Sequence, residues 1–217
     1  MEGLDHSCVF CREMNNSTET NFHRLYPEKN SRVIAQTKYL IAIPCIGQLV
    51  DDHCLILPKK HYSTFAGACL DNAELPHELE ELLLSLSRIL SIDLHTTQYF
   101  EHGAIASEHG GCGIYHAHMH IVPNAGHLSL NPNTEATTNS PFGTLKEALS
   151  QDLNRSTHYI LHGSPMLGFQ TCILDEPLPS QTLRRLLAER IGNPRWDWRS
   201  YGRDDDTLIQ TLRRAAL

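Results

Sequence analysis

Three histidines occupy alternate positions of a short apolar run, His116-Ala117-His118-Met119-His120-Ile121-Val122-Pro123. A strand sends residues i, i+2 and i+4 to one face. The run therefore predicts a strand with three imidazoles on one side and Ala117, Met119 and Ile121 in a core. Packed imidazoles are costly to take out of water unless they are paired, ligated or at work. Histidine serves as metal ligand, general acid/base and nucleophile, so the fold must set this strand at the mouth of a chemical site. With 14 histidines in 217 residues some clustering arises by chance. A purification tag or a plain metal-binding tract, however, lacks the alternation with apolar residues.

Gly110-Gly111-Cys112-Gly113 precedes the strand. Glycines let a backbone approach closely and aim N–H groups at an anion. A glycine loop feeding a row of imidazoles suggests a phosphate beside a nucleophile or base. A net charge of −7 argues against a broad nucleic-acid footprint but leaves room for a local basic pocket. No apolar run approaches the roughly 20 residues that span a bilayer, and the start, MEGLDHSCVF, has no basic n-region or apolar h-region. The seven cysteines are odd in number and irregular apart from Cys8-Val9-Phe10-Cys11. That usage fits a reducing compartment, the cytoplasm, with a metal site rather than a disulfide framework.

Residues 1–20 read as a loop carrying the Cys pair. Phe22–Tyr26, Arg32–Thr37, Tyr39–Pro44 and Cys54–Pro58 read as short strands of an antiparallel meander. Leu75, Leu79, Leu82, Leu83, Leu86, Ile89 and Leu90 recur at helical spacing and predict a long helix over Asn72–Leu94, with Asp71 or Asn72 as N-cap. A strand is expected at Gln98–Glu101, and residues 129–141 have linker composition. Beyond them the pattern predicts helices near Phe142–Leu153 and Gln181–Ile191, strands near His158–Leu161 and Phe169–Leu174, and a short closing helix.

His116-Ala117-His118-Met119-His120-Ile121-Val122 resembles the His-φ-His-φ-His-φ-φ signature of the histidine-triad (HIT) superfamily of nucleotide hydrolases and transferases. Cys8-Val9-Phe10-Cys11 resembles the opening of its zinc-carrying branch. His53-Cys54-Leu55-Ile56-Leu57-Pro58-Lys59-Lys60-His61 resembles the His-φ-φ-φ-φ-Pro-Lys-x-His segment upstream. The resemblance covers roughly residues 8–123. It implies an α+β fold: a HIT-like antiparallel sheet of about five strands with one long helix, plus a C-terminal α/β extension. The division expected is a catalytic domain over 1–128 and an extension over 129–217.

The resemblance further implies that His118 attacks the α-phosphorus of a nucleotide to give a nucleotidyl-histidine. His120 would then stabilise charge on the transferring group, and a backbone carbonyl would hold the other ring nitrogen of His118. Cys8, Cys11, His61 and His116 would bind a structural zinc ion, with His6 and His53 as rival ligands. Phe10 and Ile43 would line a base pocket. His53, His102, Gly111 and Gly113 are further candidates for substrate contact, as are Gln181 and Arg184 on one short helix of the extension. Trp196-Asp197-Trp198-Arg199 follows that helix. The pairs Glu101-His102 and Glu108-His109 flank the glycine loop, and either could serve as acid/base.

The chain departs from the family at three places. Cys45 stands where many members carry an acid for the ribose hydroxyls, with Asp51 or Asp52 as substitutes. Cys112 and Gly113 replace a Gln and a Ser that contact phosphate and leaving group. Some 90 residues follow the triad. A nucleotide hydrolase or nucleotidyltransferase is the leading reading, with a small-molecule nucleotide as partner and no membrane. A catalytically silent nucleotide- or metal-binding module is the alternative. A remover of nucleotides from DNA ends is disfavoured by the charge. Small members of the family form dimers, and a homodimer stays open for this chain.

Overall fold

A computed structural model describes residues 5, 7–105, 113–130, 137–138, 141–150, 153, 158–176, 178–201 and 206–216. Its centre is one antiparallel sheet. The strands are β1 (Ala35–Gln36), β2 (Leu40–Pro44), β3 (Cys54–Pro58), β4 (Gln98–Gly103), β5 (Met119–Val122), β6 (Thr137–Thr138), β7 (Tyr159–Ser164) and β8 (Gly168–Ile173). They lie in the order β1-β2-β3-β5-β4-β7-β8-β6. The histidine-bearing strand β5 is thus central, pairing Leu55↔His120 on one side and Phe100↔His120 on the other. β2, β3 and β4 lie where strands were expected, but only Ala35–Gln36 of Arg32–Thr37 and Met119–Val122 of the histidine run are strand, so His116 and His118 precede β5. The strands of the extension continue that sheet, because β4 also pairs with β7 from Tyr99↔Gly163 to Gly103↔Tyr159.

Leu-Ile-Ala-Ile-Pro in β2 and Cys-Leu-Ile-Leu-Pro in β3 are buried at every position. Such unbroken apolar runs arise where both faces of a sheet are covered. One face carries α4 (Leu75–Leu90), whose Leu75, Leu79, Leu82, Leu83, Leu86 and Leu90 pack with Leu40, Ala42, Ile56, Tyr99, Met119 and Ile121. Burying each of these leucines is worth about 1.5–3 kcal/mol, so this face anchors the fold. The opposite face is shared by two groups. α1 (Val9–Met14) sets Cys8, Phe10 and Cys11 on Ile41, Ile43, Leu55 and Leu57. α6 (Thr182–Arg190) sets Leu183, Leu187 and Ala188 on Phe100, Val122 and Ile160. The gap left between α1 and α6 falls over β5.

Several local expectations are corrected. Asn21–Leu25 is helix α2, not a strand, because Thr20 caps it by accepting the His23 N–H. The Cys pair sits at the start of a helix rather than in a loop. A short helix α3 (Phe65–Asp71) precedes α4, and the N-cap of α4 is Glu74, whose N–H bonds the Asn72 side chain. The extension further holds α5 (Leu145–Leu149), α7 (Trp198–Tyr201) and α8 (Asp206–Ala215). Among the described residues no helix is long and apolar enough to cross a membrane.

Glu101 is buried in the α4-side layer, where its carboxyl accepts the Phe65 N–H at 2.8 Å and the Tyr159 hydroxyl, tying α3 to β4 and β7. Burial pushes its pKa up from 4.5 to about 7 against the lowering effect of those bonds. Between these values the unfolded chain has lost the proton that the folded chain keeps. The contribution of Glu101 to stability is therefore fully present below about pH 4.5 and is lost as pH rises toward 7, by on the order of 3 kcal/mol, against the buried histidines, whose lowered pKa values favour the fold at higher pH. Glu101→Gln, the neutral isostere, is expected to remove this slope. Urea denaturation at pH 5 and pH 8 checks it, and an unchanged difference between the two pH values would refute the assignment.

Candidate active site and metal centre

α1 begins at Cys8, its N-cap, and Cys11 stands three residues on. That spacing puts both thiols on one side of the first turn. His61 follows β3 and His116 precedes β5, and these two loops meet the turn. The Cys8 Sγ lies 3.4 Å from His116 Nδ1, and the Cys11 Sγ lies 3.4 Å from His61 Nδ1 and 3.5 Å from His116 Nδ1. All four donor atoms fall within 4.8 Å of one another. Tetrahedral bonds of about 2.3 Å to sulfur and about 2.0–2.1 Å to nitrogen give S···N edges of about 3.6 Å, so the set fits a metal ion. The second nitrogen of His116 donates to the Pro58 carbonyl at 2.8 Å, which leaves Nδ1 as the ligand atom. Burial lowers the His116 pKa to about 4, keeping the ring neutral as ligation requires. Without a cation, burial and the neighbouring Cys11 push the Cys8 thiol up to about 12. Of the rival ligands, His53 lies elsewhere and His6 falls outside the described residues.

His118 and His120 are tied in opposite senses. The His118 Nδ1–H donates to the His116 carbonyl at 2.6 Å. Its basic lone pair therefore sits on Nε2, and the carbonyl expected from the sequence is supplied by the triad itself. His120 is set by a relay. The Leu49 N–H donates to His53 Nδ1 at 3.1 Å, so the His53 proton is on Nε2 and is donated to His120 Nδ1 at 2.9 Å. The His120 Nε2 consequently carries a proton. Burial holds the pKa of both His53 and His120 well below the usual value, helped by the Arg184 charge. Phe100 stacks on His120 at 4.3 Å, and Phe10 meets His118 edge-on at 5.6 Å. The Cys45, His53 and His120 donor atoms also converge. The same relay uses the nitrogens, and the Arg184 guanidinium approaches the Cys45 Sγ at 3.3 Å, so this trio is a hydrogen-bonded assembly and not a cation site.

The gap between α1 and the extension forms an open cleft, with about 500 Å³ of space counted out to the solvent. Val9, Phe10, Ile46, Leu55, Ile114 and Trp198 give it apolar walls, with His118, His120 and Arg184 at its base. Ile43 lines an adjoining recess beside Phe10 instead. Gln181 donates to the Asp197 carboxylate at 2.8 Å and accepts the Trp198 N–H at 3.3 Å, which positions the indole. Gly47 turns at φ +65°, and a Cβ there would lie 2.9 Å from Trp198 Cα, so only glycine admits this wall. Gly113 has φ +77°, and a Cβ there would lie 2.8 Å from the Arg199 guanidinium. Gly111, with Gly110, Cys112, Glu108 and His109, lies outside the described residues. Asp52 is bonded to Arg214 at 2.7 Å and Asp51 is exposed; neither lines the cleft.

Sequence reasoning missed the pair that walls the cleft opposite Trp198. Arg32 grips the Glu13 carboxylate with two bonds of 2.6 and 2.9 Å and the Pro44 carbonyl at 2.7 Å. Nothing in a lone Arg and a lone Glu 19 residues apart announces such a pair. Ile114 was more accessible to inference, since it abuts the triad at the end of the glycine loop.

Residues 26–127 match the HIT domain family. No match was found among the curated proteins. Among solved structures, the chain is similar to a HIT family hydrolase from Clostridium thermocellum, 19% identical over 58% of this chain and 97% of that one, TM-score 0.44. A histidine triad protein from Clostridium difficile is 17% identical over 60% and 98%, TM-score 0.43. A Hit-like protein involved in cell-cycle regulation from Bartonella henselae is 20% identical over 61% and 86%, TM-score 0.39.

Proposed function

From a chain whose residues 26–127 carry the HIT domain, we propose a nucleotide hydrolase or nucleotidyltransferase acting through a nucleotidyl-His118 intermediate. The opposite tautomers of His118 and His120 carry this reading. One ring offers a lone pair and its neighbour two residues on offers a proton, both held by hydrogen bonds. That is the donor and acceptor arrangement that displacement at phosphorus needs. The His118 Nε2 attacks the α-phosphorus. The P–N bond forms as the P–O bond to the leaving group breaks, and the leaving oxygen keeps the electron pair. His120 Nε2–H donates to a phosphoryl oxygen throughout. The oxygen of water or another acceptor then bonds the phosphorus, the P–N pair returns to Nε2, and the acceptor's proton passes to solvent. The apolar cleft between Phe10 and Trp198 takes the nucleoside.

Zinc is the metal that best suits two thiolates and two imidazoles. Cys8, Cys11, His61 and His116 would hold it with no open position, so its contribution is rigidity in the turn that carries His116. The catalytic part is assigned to residues 1–128, and 129–217 to an extension that walls the cleft. A reducing compartment such as the cytoplasm keeps the thiols available as ligands. The Cys112 and Gly113 departures favour the second reading, a binding module without turnover. A panel of adenosine, guanosine and uridine polyphosphates and phosphoramidates separates the two, since release of one nucleoside monophosphate supports the enzyme and binding without release refutes it.

The relay adds a sharper expectation. His53→Phe keeps the ring's bulk but removes the proton donated to His120. It is expected to lower kcat by about 10²-fold, the usual effect of losing one transition-state donor, with KM little changed. Steady-state kinetics check it, and a kcat within a few fold of wild type would contradict the relay.

A further inference from the structure

Beside the cleft lies a second recess between β4 and the first turn of α6, floored in part by Phe100 and Leu183. His102, Gln181 and Thr182 line it, and it shares His118, His120 and Arg184 with the cleft. The point where His118, His120 and Arg184 meet thus opens two ways, toward the Phe10 and Trp198 walls on one side and toward His102, Gln181 and Thr182 on the other.

Three separate features of this recess call for negative charge. Arg184 is only 3% exposed. Its guanidinium bonds the Trp196 carbonyl at 3.0 Å, the Cys45 Sγ at 3.3 Å and the Gly47 carbonyl at 2.6 Å, and among the described residues no carboxylate pairs with it. A buried cation surrounded by neutral partners is costly until an anion joins it. The first turn of α6 has no side-chain cap, and the N–H groups of Leu183 and Arg184 carry no hydrogen bond among the described residues. Uncapped N–H groups at a helix start are anion donors. Finally, His120 is 7% exposed with no partner on Nε2 among the described residues, and the buried His102 Nε2 has none either.

We propose that this recess is an anion subsite for a phosphate group on the far side of the phosphorus that His118 attacks. The proposal rests on the nucleotidyl-transfer reading and narrows it. The group that leaves through the recess, or enters it as acceptor, is a phosphate and not a cationic amine. The walls come from the extension, which explains why the chain carries α6 across the open side of β4.

The test compares a nucleoside diphosphate, whose leaving group is phosphate, with a nucleoside phosphomorpholidate, whose leaving group carries no negative charge. Arg184→Gln, which also disturbs the cleft base and so slows both substrates, is expected to lower kcat/KM about 30–100-fold more for the diphosphate than for the morpholidate, the weight of a charge-assisted contact. Arg184→Lys is expected to restore part of the diphosphate rate. Equal losses on both substrates would overturn the subsite. Because Arg184 also braces the turn at Gly47, a wild-type measurement stands beside the variants. Inorganic phosphate added during morpholidate turnover is expected either to slow it or to appear in a nucleoside diphosphate product. The first marks phosphate as leaving group alone and the second as acceptor as well. No effect of phosphate would overturn the subsite. If no compound is turned over by wild type, the nucleotidyl-transfer reading fails instead.

Discussion

His118→Ala is expected to lower kcat/KM for nucleotide turnover by about four to six orders of magnitude, as loss of a covalent nucleophile does. Melting temperature should change little. The imidazole lies against the cleft rather than in the layer beneath α4, so its removal leaves the leucine contacts of α4 untouched. The geometry explains the size of the effect. The 2.6 Å bond from Nδ1 to the His116 carbonyl fixes both the tautomer and the ring plane, and Phe10 buttresses it from one edge. No other described side chain at the base of the cleft offers a comparable lone pair. His120 presents a proton, and the Arg184 guanidinium has no lone pair to offer. Kinetics with a purified variant check this, and a loss below about 100-fold would place the nucleophile elsewhere.

Removing a metal ion proposed at Cys8, Cys11, His61 and His116 is expected to cost both stability and rate. The four residues join α1 to the loop after β3 and the loop before β5, where Phe10 of α1 also meets the His116 ring edge-on at 5.9 Å. Metal binding at such sites contributes free energy directly to folding, about 10–16 kcal/mol in small peptides that have no other core. This chain has the leucine layer, so loss of the ion should loosen α1 and the Phe10 wall rather than unfold the sheet. His116 is the coupling element: one ring nitrogen faces the thiols, and its carbonyl holds His118. A slackened His116 misplaces the attacking ring, which predicts a fall of about 10–100-fold in kcat from Cys11→Ser. Zinc content, thermal melting and kcat measured on the same preparation check this. Full activity in a metal-free Cys11→Ser variant would contradict the coupling.

The period-two histidine run pointed to the central strand, but only Met119–Val122 forms it, so His120 alone of the three histidines lies on β5 while His116 and His118 stand just before it. The leucine spacing likewise showed α4. Short elements were less legible. Phe22–Tyr26 is apolar enough for a strand, but the Thr20 cap three residues before His23 turned it into a helix. The site was legible where motifs recur at fixed spacing, as in Cys8, Cys11, His61 and His116. Arg184 and Trp198 were visible as candidates but not their places, and Arg32 was not visible at all, because long-range packing builds this part of the site. Trp198, Arg184 and Arg32 reach the cleft from three separate parts of the chain, and only the fold shows which of their polar atoms are satisfied and by what.

The central claim, covalent transfer to His118, is tested most directly by intact-protein mass after rapid mixing with a substrate nucleotide and quenching in alkaline denaturant, which preserves a P–N bond. The expected result is a mass increase of one nucleoside monophosphate that maps to His118 and is absent from His118→Ala. Turnover with no adduct on the millisecond timescale, or an adduct that persists in His118→Ala, would contradict it.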